Sequence, residues 1–140
     1  MPIRRQTLPA DAKAALDRTK AERGAALFLF FGAEDAATGV SWCPDCVTAD
    51  PVLRTACATQ RPDLVLNECP VGQRSEWKNR PEHPYRLDPD FRIARIPTLL
   101  LIEDGCEAGR LVEGDCAKPD VVAAFLSTGL AAGLTRNVVH

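Results

Sequence analysis

The stretch Ser41-Trp42-Cys43-Pro44-Asp45-Cys46 decides how this chain is read. Two thiols three positions apart, with a proline between and a tryptophan before, are laid out for redox chemistry rather than for packing. Where such a pair opens a helix, both sulfurs lie near one helix end and can close a small disulfide ring. Cys43 is expected to be the exposed sulfur. Upstream, Leu27 to Phe31 form an unbroken apolar run ended by Gly32, the pattern of a strand buried on both faces in mid-sheet. Ala33 to Ser41, carrying Glu34, Asp35 and Gly39, reads as a surface loop that delivers the chain to Trp42. Downstream, a helix is expected from Cys43, with Asp45 in its first turn. Val47, Val52, Leu53, Ala56 and Cys57 would share its buried side until Arg61 and Pro62, with a kink at Pro51.

Working outward, Pro2 to Thr7 reads as a short edge strand. Pro9 to about Glu22 reads as an amphipathic helix with Ala15, Leu16 and Thr19 at helical spacing and Gly24 as its stop. Leu64, Val65 and Leu66 mark a further strand. A long polar insert follows between Gly72 and Asp90, with Trp77, His83, Pro84 and Tyr85 as its distinctive members and room for a short helix from Arg74 to Lys78. The bland reading of Trp77, His83 and Tyr85 is insert packing. Thr98 to Ile102 reads as a strand, Glu103-Asp104-Gly105 as hairpin chemistry, and Arg110 to Val112 as the return strand. A last helix is expected from about Lys118 to Ser127, with Val121, Val122, Ala124, Phe125 and Leu126 inward, before a frayed tail over 129–140. This order gives an α/β fold: a mixed central sheet with helices on both faces, in one domain spanning 1–140 whose first eight residues are an N-terminal segment.

Composition narrows the function classes. The chain has 140 residues, 46% of them hydrophobic, which is enough for one core. A formal net charge of -2 with scattered cations leaves no footprint for nucleic acid. No run approaches membrane-spanning length, and the first twenty residues lack an apolar export segment, so a soluble cytoplasmic protein is expected. Six cysteines raise the possibility of a secreted disulfide framework or a zinc site. The first is not needed by a chain with this core. For the second, Cys57, Cys69, Cys106 and Cys116 provide no second close pair and His83 and His140 stand alone, so no metal is expected. Those four thiols read as inert.

Three separated pieces resemble the thioredoxin superfamily: the buried strand leading to Trp42-Cys43-Pro44-Asp45-Cys46, Pro51 eight positions after Cys43, and Arg95-Ile96-Pro97-Thr98 ahead of a strand. The Pro-Asp pair between the thiols, the lengthened loop before Trp42, the segment with Val71, Gly72 and Trp77, and Leu111-Val112-Glu113 with Cys116 are more narrowly similar to the fourteen-kilodalton thioredoxin-related family. The resemblance implies a thioredoxin fold and a cytosolic, monomeric disulfide reductase. It would bind no cofactor and draw electrons from NADPH through thioredoxin reductase. It implies that Cys43 attacks, that Cys46 resolves, and that Pro97 is a cis-proline facing them, with Trp42, Pro44, Asp45, Ile96 and Pro97 contacting substrate. Two departures matter: Leu29 stands where thioredoxins carry a buried acid, and Pro-Asp replaces the usual Gly-Pro.

The attacking species is a thiolate, so the site must lower the Cys43 pKa from about 8.5. A helix terminus contributes up to about 2 kcal/mol, whereas a solvated Asp45 carboxylate about 6 Å away opposes it by roughly 0.7 kcal/mol. Cys43 is therefore expected to titrate near neutrality. Asp45, Glu34 and Asp35 are candidate acceptors for the Cys46 proton; otherwise they make the surface acidic and disfavour anionic substrates. The leading function is reduction of small-molecule disulfides such as cystine, or of selected protein disulfides, through a mixed disulfide. The competing class is a non-catalytic interaction module whose docking the thiols regulate.

Overall fold

The computed structural model describes residues 1–127, and the expected tail lies outside the described residues. Five strands form one mixed sheet in the order β1-β3-β2-β4-β5. They are β1 (Ile3–Arg5), β2 (Ala26–Phe31), β3 (Leu66–Pro70), β4 (Thr98–Glu103) and β5 (Cys106–Val112). β1 and β2 run parallel to β3 on its two sides, while β4 is antiparallel to both β2 and β5. The helices are α1 (Pro9–Ala21), α2 (Pro44–Gln60), α3 (Arg74–Trp77) and α4 (Pro84–Leu87). A 3-10 turn spans Glu113–Ala117, and residues 119–127 are helical (α5).

β2 is the axis of the core, and every one of its six residues is buried. Its side chains alternate between faces, as the pleat requires. Phe28 and Phe30 meet Phe91 and Tyr85 of the insert at ring-centroid distances of 4.9 to 6.1 Å. Phe31, of opposite parity, shares a cavity wall with Cys46 on α2. Each fully buried aromatic contributes about 2–3 kcal/mol of apolar transfer. The insert is thus the second layer of the core. His83 Nε2 donates to the Val71 carbonyl (2.7 Å), because the Tyr85 N–H donates to Nδ1 (3.0 Å) and keeps the proton off that nitrogen. Pro84 then opens the single turn of α4, which sequence periodicity missed because four residues show no period.

Other boundaries moved for identifiable reasons. β3 begins where the Leu64-Val65-Leu66 run ends and continues through Asn67, Glu68 and Cys69. Buried Asn67 is tolerated because it donates to the Leu27 carbonyl (3.1 Å) and accepts from Gln6 (2.9 Å). β5 starts at Cys106 rather than Arg110, since Asp104 and Gly105 both take positive φ and close a two-residue hairpin. The buried side of α2 is Cys46, Ala49, Leu53 and Cys57, with Val52 and Ala56 half-buried. Val47, expected inward, is 44% exposed. α2 continues through Pro51, whose ring removes one backbone donor.

Ion pairs tie the layers together. Asp90 pairs with both Lys13 and Lys20 of α1. The hydrogen bond from Lys13 depresses the Asp90 carboxyl most, with Lys20 second. A depressed folded-state pKa adds stability that is fully present above the unfolded value of about 3.9 and disappears as pH falls through the folded value. Because the pair is half exposed, its contribution is at most about 1 kcal/mol. Urea melts of Asp90→Asn are expected to show that loss at pH 7 and to converge on the wild type as pH falls through the depressed Asp90 pKa.

Candidate active site

Cys43 and Cys46 form a disulfide with a Cα–Cα separation of 5.2 Å. Cys43 is the N-cap of α2, in extended conformation, and Pro44 occupies the first helical position, where its missing N–H costs nothing. The Cys46 N–H, one of the helix's unpaired donors, points at Cys43 Sγ (3.2 Å), while the Val47 N–H takes the Cys43 carbonyl (3.1 Å). The partial positive charge of a 17-residue helix is thereby focused on the first sulfur.

Three residues that sequence reasoning passed over hold this terminus in place. Ser41 Oγ donates to the Gly32 carbonyl (2.6 Å) and accepts from the Cys43 N–H (3.1 Å). Gly32, read only as a strand stop, lies beneath the indole: a Cβ there would sit 2.6 Å from Trp42 Cε2 and 3.0 Å from Cys43 Cβ. Trp42 Nε1 donates to the Gly72 carbonyl (2.8 Å), which also accepts from the Ala33 N–H (3.0 Å). The loop before Trp42 is closed by Asp35, whose Oδ1 accepts from the Ala37 and Thr38 N–H groups. A glycine ending a strand and a serine two residues before a thiol are too common to single out without knowing that the two meet.

The pair is flanked by two hollows. One, of about 370 Å³, is lined by Trp42, Cys43, Pro44, Asp45 and Ile96, together with insert residues Arg74, Trp77, Lys78 and Arg86. The other, about 250 Å³, is lined by Cys46, Phe31, Glu34, Asp50 and Arg54. The Ile96–Pro97 bond is cis; Ile96 stands on the wall of the first hollow and Pro97 is buried behind it. Five of the expected site residues and Cys43's neighbours thus share one groove, and Cys46 opens to the opposite one. The expectation that Cys43 alone would be exposed is corrected: as a disulfide, Cys43 and Cys46 are 5% and 4% exposed, because Trp42 covers one side and the helix the other. The expected acidic surface is corrected as well, since insert cations line the wall facing Cys43.

The remaining ionisable groups are committed elsewhere. Glu34 is clasped by both guanidinium nitrogens of Arg5 (3.0 and 2.7 Å), which lowers its pKa. The Thr38 and Ala37 N–H groups lower that of Asp35. Both are therefore weakened as proton acceptors. Glu68, in register with Leu29 on the neighbouring strand, is held between Arg5 and Arg54, so an acid exists beside the position where Leu29 stands, but on β3. Burial pushes the Cys57 thiol to about 11 and the Cys116 thiol to about 12, and drives Cys69 higher still. Cys116 lies beneath the Pro97 carbonyl (3.7 Å). These three stay protonated at neutral pH. Among the described residues no cluster of three His, Cys, Asp or Glu side chains is placed to hold a metal ion, and no helix is long and apolar enough to cross a membrane.

Comparison with known proteins agrees with this geometry. The family model of the thioredoxin domain of thioredoxin domain-containing protein 17-like proteins matches residues 9–128. The thioredoxin-like protein Clot of Oryza sativa subsp. japonica is 37% identical over 111 residues, covering 76% of this chain and 79% of that protein. Thioredoxin domain-containing protein 17 of Homo sapiens is 35% identical over 104 residues, covering 74% and 80%. Among solved structures, oxidised thioredoxin O2 from Arabidopsis thaliana superposes with a TM-score of 0.60 over 87% of this chain and 91% of that one, at 16% identity, a likeness of fold. A thioredoxin fold with a Cys-Pro-Asp-Cys pair at a helix terminus fits a thiol–disulfide oxidoreductase at the level of reaction class. With its matched family model, its relatives and its cysteine spacing in accord, the chain belongs to the thioredoxin domain-containing protein 17-like family.

Proposed function

We propose that this protein reduces small-molecule or selected protein disulfides, with Cys43 as nucleophile and Cys46 as resolving thiol, in the cytosol. The observation that carries the reading is the Cys46 N–H aimed at Cys43 Sγ at the head of α2. Once the pair is reduced, that donor and the helix terminus favour a thiolate on Cys43 over one on Cys46. The Cys43 thiolate attacks a substrate sulfur, forming a mixed disulfide and releasing one substrate thiolate. Cys46 then attacks Cys43 Sγ, closing the ring and releasing the second substrate thiol. Its proton leaves toward the hollow lined by Asp50, one helical turn along from Cys46. Trp42, Pro44, Asp45 and Ile96 contact the substrate in the first groove, with cis-Pro97 shaping its wall. Two electrons per turnover come from NADPH through a thioredoxin reductase; the protein itself holds no cofactor and acts as a monomer.

Turnover of cystine or insulin with NADPH and thioredoxin reductase is expected for the wild type and not for Cys43→Ser, while Cys46→Ser should accumulate the mixed disulfide. Equal rates for wild type and Cys43→Ser would return the interaction-module reading. A pH series of alkylation rates on the reduced protein should rise through a midpoint at about 7.5, the helix terminus less the Asp45 repulsion being worth about one unit below the free-thiol value of about 8.5. A midpoint at the free-thiol value would remove the helix terminus as the activating element. Gly32→Ala forces the Trp42 ring and the Cys43 backbone apart, and an overpacked site of this kind costs about 1–3 kcal/mol. It is expected to lower urea stability by that amount and to slow Cys43 alkylation at pH 7.

A further inference from the structure

We infer that the disulfides this protein reduces best carry carboxylates beside the sulfur–sulfur bond, held by a basic rim that the insert sets across the groove from Cys43. The inference deepens the reductase reading above and rests on it.

The two hollows beside the pair differ in how their charges are balanced. On the Cys46 side the lining cation, Arg54, is paired with Asp50 and Glu68, and the lining Glu34 is paired with Arg5. On the Cys43 side, Arg95 is paired with Glu113 at 3.6 Å, but Arg74, Lys78 and Arg86 have no carboxylate within ion-pair distance among the described residues. The hollow's lining carboxylates are Asp45 and Glu113, and Glu113 is taken by Arg95, so these three cations share the lining with Asp45 as its one carboxylate outside an ion pair among the described residues. Arg86 is fixed in place: its guanidinium stacks 3.6 Å from the Trp77 ring centroid and donates to the Ala94 (2.7 Å) and Trp77 (3.1 Å) carbonyls, while its buried Nε has no hydrogen-bond partner. Arg74 and Lys78, at the two ends of α3, are exposed and free to close on a ligand. The short α3 turn is anchored by the burial of Trp77, so the rim's position follows from the core.

An uncompensated cationic wall of this kind raises the local concentration of anions at the mouth of the groove. It also favours the reaction itself. Attack by the Cys43 thiolate breaks the substrate S–S bond, forms Cys43–S–S–R and expels RS⁻; attack by Cys46 closes the protein disulfide and expels the second RS⁻. Each leaving thiolate takes a proton from solvent, and the protein dithiol has given up the two electrons the substrate gained. Cations beside the groove stabilise both the carboxylates that bring the substrate in and the negative charge that develops on the departing sulfur.

Three small symmetrical disulfides test this: dithiodiglycolate (a dianion), bis(2-hydroxyethyl) disulfide (neutral) and cystamine (a dication). Second-order rates of oxidation of the pre-reduced full chain are compared with those of dithiothreitol on the same three compounds, which removes intrinsic reactivity. The dianion-to-dication rate ratio is expected to exceed the dithiothreitol ratio by about tenfold at low ionic strength and to shrink as salt is added. The double variant Arg74→Ser/Lys78→Ser should lose most of that preference, and the charge-conserving Arg74→Lys/Lys78→Arg should keep it. A ratio equal to that of dithiothreitol, or a preference for cystamine, overturns the basic rim while leaving the reductase intact. Reduction of none of the three overturns the reductase reading and this inference with it.

Discussion

The close approach of Trp42 and Cys43 to the bare backbone of Gly32 is the constraint on which the site depends. The residue that follows β2 must lack a side chain for the indole to lie against the strand's end. With the indole there, its N–H reaches Gly72, the insert is pinned to the loop, and Ser41 can bridge Gly32 and Cys43. The head of α2 is therefore positioned by backbone contact with the most buried strand of the sheet. A helix end held in that way keeps the Cys46 N–H on Cys43 Sγ without adjustment, and preorganised donors of this sort are where electrostatic stabilisation of a charge is most effective.

Magnitudes separate what holds the molecule together from what tunes it. A fully buried Phe28 or Phe30 contributes about 2–3 kcal/mol, while an exposed ion pair such as Arg110–Glu107 contributes about 0–1 kcal/mol. The aromatic layer of Phe28, Phe30, Tyr85 and Phe91 therefore sets the insert on the sheet, and the charged network is placed by it. Arg5, Glu34, Glu68, Arg54 and Asp50 then link β1, the loop, β3 and α2 in one chain of charges on the Cys46 side. That network neutralises its own cations. The other side of the pair is left with an excess of positive charge, so the disulfide sits between two electrostatically different surfaces.

The carboxylate beside the pair has a comparable logic. Leu29 occupies the strand position where an acid is otherwise expected, yet Glu68 lies in register with it on β3 and is saturated by two guanidinium groups. A carboxylate bound in that way is an anchor for α2 and β1 rather than a ready base. The carboxylate that shares a hollow with Cys46 one helical turn along is instead Asp50.

By itself, the order of residues determined the mixed α/β sheet, the central buried strand, the helix beginning at the thiol pair and the hairpin after β4. Each of these follows from local signals: an unbroken apolar run, a helix-opening Cys-Pro, and an Asp-Gly turn whose two residues take positive φ. The same order marked the strand within Asp63 to Cys69 by Leu64, Val65 and Leu66, ahead of where β3 lies, because an Asn buried through partners forty and sixty-one residues away reads locally as polar. It could not show that Gly32, Ser41 and Gly72 form one support, that Val47 turns outward, or that Arg74, Lys78 and Arg86 converge opposite Cys43. Those are tertiary placements that no local signal carries: they follow from how the loop, α2 and the insert pack against β2 and its neighbours.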